Sequence, residues 1–278
     1  MDVDASADSA ALAGVRILTL ESRRKVELTR LLARHGAEVL SAPALREEPL
    51  EETGPAVGLL ERLRAGQIDA LILLTGVGTH ALATIAARHG APEEFAELLG
   101  RIPLIARGPK PVAALRQMGL RARVRAPEPN TWRELLGALD AEFPVAGLRL
   151  AVQEYGRPSP ELHQGLEDRG ASVYRVPVYR YALPEDTAPL AEGIGQLLAG
   201  RIHVVAFTTA VQLDHLLLFA GERRAAVARA LRDQVLVASI GPTVDAALAA
   251  EGIAPNICPE HPKLGYFAKA IAAHAPTL

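Results

Sequence analysis

The chain has 278 residues, of which 49% are hydrophobic, and a formal net charge of −2 at pH 7. This length fits two domains of ordinary size, and the balanced charge argues against a nucleic acid or an anionic membrane as partner. A single cysteine, Cys258, excludes a disulfide framework and a cysteine-based zinc site. Residues 1–13 have no secretory-signal pattern, and no apolar run is long enough to cross a bilayer. We therefore expect a soluble cytoplasmic protein whose residues 1–13 are disordered.

Strand and helix patterns alternate along the whole chain. The first half predicts strands at 15–20, 38–45, 68–75, 103–106 and 122–125. Its predicted helices are one that follows the turn at 21–25 and runs to about residue 35, and those at 56–65, 79–89, 111–118 and 131–141. The second half predicts strands at 149–154, 172–181, 204–208 and 235–240, and helices at 159–169, 189–199, 211–219, 223–232, 243–251 and 263–274. Alternation of this kind implies parallel sheets with helices on both faces.

The second half of the chain repeats the first at an offset of about 133 residues. GVRIL at Gly14–Leu18 returns as GLRLA at Gly147–Ala151, and QIDALILLTGV at Gln67–Val77 returns as RIHVVAFTTAV at Arg201–Val211. A duplicated α/β pattern predicts two similar lobes with a cleft between them, where strand ends and helix starts converge.

Two extended, proline-containing segments, 41–48 and 175–185, occupy equivalent places in the repeats. They are the best candidates for crossovers between lobes, and they would pair as a short ribbon. The fold class is therefore expected to be α/β, with two parallel-sheet lobes that exchange segments and are joined by a two-stranded linker. The predicted bounds are 14–42 with 182–275 for one lobe, 47–174 for the other, and 43–46 with 175–181 for the linker strands.

Six turns follow the buried strands and share small residues, hydroxyl groups and helix starts. They are Glu21–Lys25, Thr75–His80, Ala106–Pro111, Glu154–Pro158, Thr208–Val211 and Ser239–Thr243. A helix start offers free N–H groups and a partial positive charge, so these turns together predict a cleft for an anionic ligand. The alternative is that their hydroxyl groups only cap helices. The turn residues that we single out from position alone are Ser22, Gly108, Lys110, Tyr155 and Gly156.

Other common site chemistries find no support in the sequence. No phosphate-binding glycine motif is complete, and the histidines lack the spacing of metal ligands. Tyr155, at a strand-end turn, and Tyr179, in the expected linker, are candidates to donate a proton into the cleft. The alternative for each tyrosine is packing on a strand face with its hydroxyl group in water.

Five segments, taken in order, resemble the uroporphyrinogen-III synthase family. They are TGVGTHAL, ARGPKPVAALRQMGL, VPVYRY, FTTAVQLDHLL and SIGPTVDAALAAEGI. The resemblance runs from Gly14 to the last helix and implies two α/β lobes joined by a two-stranded linker.

The resemblance also implies the reaction. The family converts hydroxymethylbilane, a linear tetrapyrrole with eight carboxylates, to uroporphyrinogen III, losing water and inverting ring D through a spiro intermediate. This is a lyase reaction of porphyrin and haem biosynthesis that uses no cofactor and no metal. The implied supplier of the substrate is hydroxymethylbilane synthase, with no nucleic-acid or membrane partner. We expect a monomer.

Site residues carry over by position from the family. Tyr179 matches a linker tyrosine that would act as general acid, with Tyr155 as the weaker candidate. Arg23 and Arg107 would supplement the contacts to carboxylates. The matching cleft residues are Thr75, Gly76, Val77, Gly78, Thr79, Thr208, Thr209, Ala210, Val211, Gly241, Pro242 and Thr243.

Two other functions compete with the synthase. One is a two-lobed cytosolic binding module for a small polyanionic ligand, which would bind its ligand unchanged. The other is an enzyme that binds a nucleotide or a sugar phosphate, against which the missing phosphate-loop motifs count.

Overall fold

The structure is a computed structural model that describes residues 11–50, 54–89, 92–156 and 159–274. The chain divides into two compact units. The terminal unit contains the described residues up to Arg46 together with those from Ala182 onward, and the central unit is Glu47–Tyr181.

The described residues form ten strands and twelve α-helices, in a largely alternating order. The strands are β1 (Arg16–Thr19), β2 (Glu38–Ser41), β3 (Arg46–Pro49), β4 (Ala70–Leu73), β5 (Leu104–Ala106), β6 (Val124–Arg125), β7 (Arg149–Gly156), β8 (Ser172–Ala182), β9 (Val204–Phe207) and β10 (Leu236–Ser239). The helices are α1 (Lys25–Ala33), α2 (Gly54–Arg64), α3 (Gly76–Arg88), α4 (Pro92–Gly100), α5 (Pro109–Gln117), α6 (Trp132–Glu142), α7 (Pro160–Glu167), α8 (Ala188–Leu198), α9 (Ala210–Ala220), α10 (Arg224–Asp233), α11 (Pro242–Ala250) and α12 (Leu264–His274). No described helix is both long enough and apolar enough to cross a membrane.

The terminal unit is built on a four-stranded parallel sheet in the order β10-β9-β1-β2. Its two central strands, β1 and β9, are buried apart from Arg16, as strands covered by helices on both faces require. Phe207 belongs to a core formed with α8, α9, α10 and α11, and Ile17 to a core formed with α1 and α12. The sheet is therefore the middle of three layers.

The central unit contains a six-stranded sheet in the order β3-β8-β7-β4-β5-β6. The strands from β8 to β6 pair in parallel. Leu71 and Leu73 pack against α2, α3, α4 and α5, whereas Ile72 and Val152 pack against α6 and α7. The alternation of side chains along β4 thus supplies both cores from one strand.

The two sheets share one strand order under the correspondence of the sequence repeat. That correspondence matches β1 with β7, β2 with β8, β9 with β4, and β10 with β5. The order β10-β9-β1-β2 then becomes β5-β4-β7-β8, which is the order found in the central unit. The protein is α/β with parallel sheets, as expected from the alternating strands and helices.

Several element predictions need correction. Residues 11–14 form a turn, and Leu12 is fully buried against the core of α1 and α12, so the expected disorder does not extend to Leu12; residues 1–10 lie outside the described part. The predicted strand at 38–45 ends at Ser41. Helix α4 is not anticipated, although it buries Phe95 with Leu98 and Leu99 at helical spacing.

Candidate functional site

In the terminal unit, the strand order reverses between β1 and β9, and the turns after these strands meet. In open parallel sheets, ligands bind at the carboxyl ends of strands beside such a reversal. Glu21 follows β1, and Thr208 and Thr209 follow β9. Two of the three turns of this unit that were singled out from the sequence therefore lie side by side.

A directional chain of hydrogen bonds joins these two turns. The Gln212 amide nitrogen donates to Thr208 Oγ1 at 2.8 Å, and the Thr208 hydroxyl donates to the Glu21 carboxylate. The carboxamide oxygen of Gln212 accepts from the backbone N–H groups of Thr208 at 2.7 Å and Thr209 at 3.3 Å. The Thr208 hydroxyl is thus engaged between the two turns.

Helix α9 begins at the end of this network, with Thr209 in extended conformation as its N-cap. Ala210 and Val211 are the first two helical residues, and their N–H groups have no partner among the described residues. They point along the helix axis with the positive end of the helix dipole, which favours an anion at this position.

The equivalent turn of the central unit follows β4. Thr75 is the N-cap of α3, and its hydroxyl oxygen accepts from the N–H group of Gly78 at 3.0 Å. Thr79 is almost fully buried and donates its hydroxyl to the Thr75 carbonyl at 2.9 Å. The predicted turn at Gly76–Gly78 is therefore the first turn of α3, since the Thr75 cap starts the helix at Gly76.

Tyr179 on β8 reaches this same turn. Its hydroxyl oxygen lies 3.3 Å from Thr75 Oγ1, and its side chain is 5% exposed. The ring makes an edge contact with Tyr181, with centroids 5.6 Å apart. Two residues that are 104 positions apart in the sequence are thereby brought together at a helix start.

The Gln153 side chain occupies the space behind the α3 turn and is fully buried. Its carboxamide oxygen accepts from the N–H groups of Leu74 and Thr75, both at 3.2 Å. Its amide nitrogen donates to the carbonyl of Glu154. Gly76 and Val77 open the helix, and their N–H groups have no partner within the described ranges.

Close approaches of neighbouring atoms explain three glycines at turns of the central unit. A Cβ at Gly76 would lie 2.9 Å from the Lys110 carbonyl, where the start of α3 meets the start of α5. A Cβ at Gly108, the N-cap of α5, would lie 3.0 Å from the Asn130 side chain. Gly156 has φ 53° and would place a Cβ 2.0 Å from the Tyr181 ring. A side chain at any of these positions would displace a neighbour.

A buried carboxylate lies near the end of β7. Glu154 is 5% exposed, and its Oε1 lies 3.1 Å from His163 Nε2 and 2.9 Å from Arg175 Nε. Burial by itself raises the pKa of the Glu154 carboxyl, but His163 and Arg175 outweigh it and hold that pKa below the ordinary value. Glu154 therefore stays ionised, and its charge is balanced by Arg175 of the same unit.

Other residues predicted from the sequence have different surroundings. Ser22 donates its hydroxyl to the Leu45 carbonyl at 2.5 Å, so its proton is used by the chain itself. The Arg107 N–H group donates to the Leu73 carbonyl at 3.0 Å and extends the β4–β5 pairing. Arg23 is exposed between β1 and α1.

The turn after β10 stands apart from these networks. Gly241 is the N-cap of α11 and donates its N–H to Ser239 Oγ at 3.2 Å, whereas Pro242 and Thr243 are exposed. The Tyr155 side chain and residues 157–158 lie outside the described part. Among the described residues, no three His, Cys, Asp or Glu side chains converge as metal ligands.

Gln153, Gln212 and Glu21 belong to these networks but are not among the site residues predicted from the sequence. Gln212 has a local signal, because a threonine followed three residues later by glutamine is a capping-box pattern. Gln153 has none, since its partners are 78 and 79 residues away. The bond from Thr208 to Glu21 spans 187 residues and is equally invisible to local patterns.

A model of the family described as uroporphyrinogen-III synthase HemD matches residues 26–268. The chain belongs to the uroporphyrinogen-III synthase family. A protein of Methanothermobacter thermautotrophicus that carries the name "Putative uroporphyrinogen-III synthase" is 31% identical over 237 residues, which cover 85% of this chain and 89% of that protein.

Solved structures of the family have the same fold. A mutant uroporphyrinogen III synthase from Thermus thermophilus matches with a TM-score of 0.69 and 28% identity, covering 93% of this chain and 98% of that one. The uroporphyrinogen-III synthetase of Helicobacter pylori matches with a TM-score of 0.51 and 16% identity, covering 93% and 99%. The second likeness bears on the fold alone.

Proposed function

We propose that this protein is a uroporphyrinogen-III synthase, which closes hydroxymethylbilane to uroporphyrinogen III with loss of water and inversion of ring D. Membership of the family and the common fold support this proposal. The observation that carries it furthest is the pair of matching helix starts. In each unit a threonine-capped helix follows a buried central strand and leaves two N–H groups without a partner among the described residues.

These helix starts suit a substrate that carries carboxylates around its periphery. The two free N–H groups and the helix dipole stabilise an anion by about 0.3–1 kcal/mol at an exposed end, and by more where the anion is partly buried. Backbone donors at the start of α3 and of α9 would hold acetate and propionate groups and leave the reacting carbons untouched. We propose this role for Gly76 and Val77 in the central unit, and for Ala210 and Val211 in the terminal unit.

Tyr179 is the proposed general acid. Its phenol would protonate the hydroxyl group of the substrate, so that the carbon–oxygen bond breaks and water leaves. The proton released when the last carbon–carbon bond closes the ring would restore the phenol, which balances the overall loss of one water. The contact with Thr75 Oγ1, at 3.3 Å, would hold the phenol hydroxyl beside the α3 helix start.

Control of the product isomer is the central task in this proposal. Hydroxymethylbilane also closes without an enzyme, and that reaction gives the type I isomer. The enzyme therefore has to favour one transition state by holding the chain in one folded arrangement, rather than only accelerate closure. Several modest carboxylate contacts would serve this purpose better than one dominant side chain.

A coupled assay tests the proposal. Porphobilinogen and hydroxymethylbilane synthase, the proposed supplier of the substrate, generate hydroxymethylbilane in place. The protein is added in increasing amounts, and the oxidised uroporphyrins are separated into isomers I and III. The type III fraction should increase with added protein and stay at the blank value with heat-denatured protein. Formation of type I alone would refute the synthase and favour a binding module for a polyanion.

A further inference from the structure

Two buried glutamine side chains hold equivalent backbone groups in the two units. Gln153 accepts from the N–H groups of Leu74 and Thr75, and Gln212 accepts from those of Thr208 and Thr209. The sequence repeat matches Leu74 with Thr208 and Thr75 with Thr209. The strand pairing supports this match, because β4 pairs with β7 in the same register as β9 pairs with β1. One carboxamide oxygen therefore lies at the same place in both units.

The two carboxamides reach this place from different points of the chain. Gln212 is the third residue of α9, and its equivalent in α3 is Gly78. A Cβ at Gly78 would lie 1.9 Å from the Gln153 amide nitrogen. Gly78 thus leaves open the space through which Gln153 enters.

The strands beside these turns, β7 and β1, differ in the opposite sense from the helices. Gln153 on β7 corresponds to Leu20, which follows β1 and is fully buried in an apolar core. The central unit therefore has glutamine on the strand and glycine in the helix, and the terminal unit has leucine on the strand and glutamine in the helix. Each unit has one carboxamide at this position and has room for one only.

The carboxamide determines which donors the turn offers. It occupies the last two N–H groups before the helix, so the first two N–H groups of the helix are the ones without a partner among the described residues. A buried N–H group without an acceptor costs about 1–3 kcal/mol, so without the carboxamide the turn would rearrange to satisfy its own donors. The position of the remaining donors then depends on the carboxamide.

We propose that Gln153 and Gln212 are positioning residues of two equivalent carboxylate-binding turns, which set the direction of the N–H groups that hold carboxylates of the substrate. This inference rests on the proposed synthase function. Enzyme kinetics distinguish this positioning role from a purely structural role. Weaker binding of a carboxylate in both the ground state and the transition state raises KM, whereas a smaller folded fraction lowers the rate per total protein and leaves KM unchanged.

Two kinds of variant test the proposal, with the yield of uroporphyrinogen III measured against hydroxymethylbilane concentration. Gln153→Leu should raise KM by about 5-fold, the equivalent of one lost helix-start contact of about 1 kcal/mol. The double variant Gly78→Gln with Gln153→Leu recreates the arrangement of the terminal unit and should return KM to within about 2-fold of the wild type. Gln117→Leu, on the exposed end of α5, controls for the added leucine.

Gln212→Glu keeps the proposal testable if Gln153→Leu does not fold. Glutamate after a threonine N-cap is the usual capping-box residue, so the acceptor for Thr208 and Thr209 is retained. The added negative charge beside the N–H groups of α9 should raise KM by repelling a substrate carboxylate. The variant also loses the amide donor to Thr208 Oγ1 and should be less stable, but a smaller folded fraction leaves KM unchanged. Gln117→Glu is the matched charge control.

The outcomes distinguish this inference from the proposed function. If the wild-type protein forms no type III isomer, the proposed synthase function itself is refuted. An active wild type with unchanged KM in Gln153→Leu, or in Gln212→Glu, overturns the positioning role and leaves the synthase intact. Raised KM in both, with recovery in the double variant and wild-type values in the Gln117 controls, supports it.

Discussion

Replacement of Gly78 by alanine would insert a methyl group into space that the Gln153 side chain already occupies. The added Cβ would lie 1.9 Å from the Gln153 amide nitrogen and 2.2 Å from its carboxamide carbon. Because Gln153 is fully buried, its side chain has no solvent-filled space into which to withdraw. It can leave only by giving up its hydrogen bonds to the N–H groups of Leu74 and Thr75.

The expected loss of stability follows from those two hydrogen bonds. Each unsatisfied buried N–H group costs about 1–3 kcal/mol, and alanine in a helix regains about 1 kcal/mol relative to glycine. The free energy of unfolding of the central unit should therefore fall by about 1–5 kcal/mol in Gly78→Ala. Gly137→Ala in α6 is the matched control, since no atom lies within 4 Å of its added Cβ, and this variant should be stabilised by up to about 1 kcal/mol.

Urea denaturation followed by the fluorescence of Trp132 measures this difference. Trp132 is the single tryptophan of the chain and lies at the start of α6, so its signal reports on the central unit. Gly78→Ala should shift the midpoint to lower urea, and Gly137→Ala should not. A destabilisation of less than about 1 kcal/mol in Gly78→Ala would refute the argument that Gly78 is required by the buried Gln153.

Three further changes have defined expectations. Tyr179→Phe should lower kcat for type III formation by about 100-fold, as expected for the loss of a general acid, and an unchanged kcat would remove the phenol from the chemistry. It should cost only about 1 kcal/mol of stability, since the nearly buried hydroxyl lies 3.3 Å from Thr75 Oγ1. Arg149 lowers the pKa of Asp69 to about 2, so this ion pair stabilises the folded protein above about pH 4 and is lost as the pH falls toward 2. In Asp69→Asn, the urea midpoint should therefore depend less on pH over that range. An unchanged dependence of the midpoint on pH would contradict the assignment. Thr208→Val removes a hydroxyl group that bridges the Glu21 and Gln212 side chains, and should cost about 1–2 kcal/mol of stability by thermal unfolding. Thr243→Val, at an exposed threonine, should cost almost none. Equal losses in the two variants would contradict the bridging role of Thr208.

Local patterns in the sequence predict the elements of this fold well. Strands such as β4 and β9 are short runs of apolar residues, and each is followed by a threonine that begins a helix. Both signals lie within a few residues, so no tertiary knowledge is needed to recognise them. The internal repeat then predicts that the two sheets share a strand order.

The side-chain networks of the site depend on tertiary contacts that no local pattern contains. Gln153 looks like any polar residue at the end of a strand, and only the packing of β7 beside β4 shows that it serves the α3 turn. Helix α4 is an omission of a different kind, because its proline, its acidic first turn and the spacing of its apolar residues are readable locally. The site roles, the lobe bounds, the monomeric state and the cytoplasmic location stay predictions.

The isomer composition of the tetrapyrrole product decides whether this protein is a synthase. Hydroxymethylbilane is generated at a fixed rate, and the protein is titrated while the ratio of type III to type I uroporphyrin is followed. For a synthase, the ratio should increase with the amount of protein until type III dominates, because enzymatic closure then outcompetes spontaneous closure. A ratio that stays at the spontaneous value at every protein concentration would contradict the proposed synthase function.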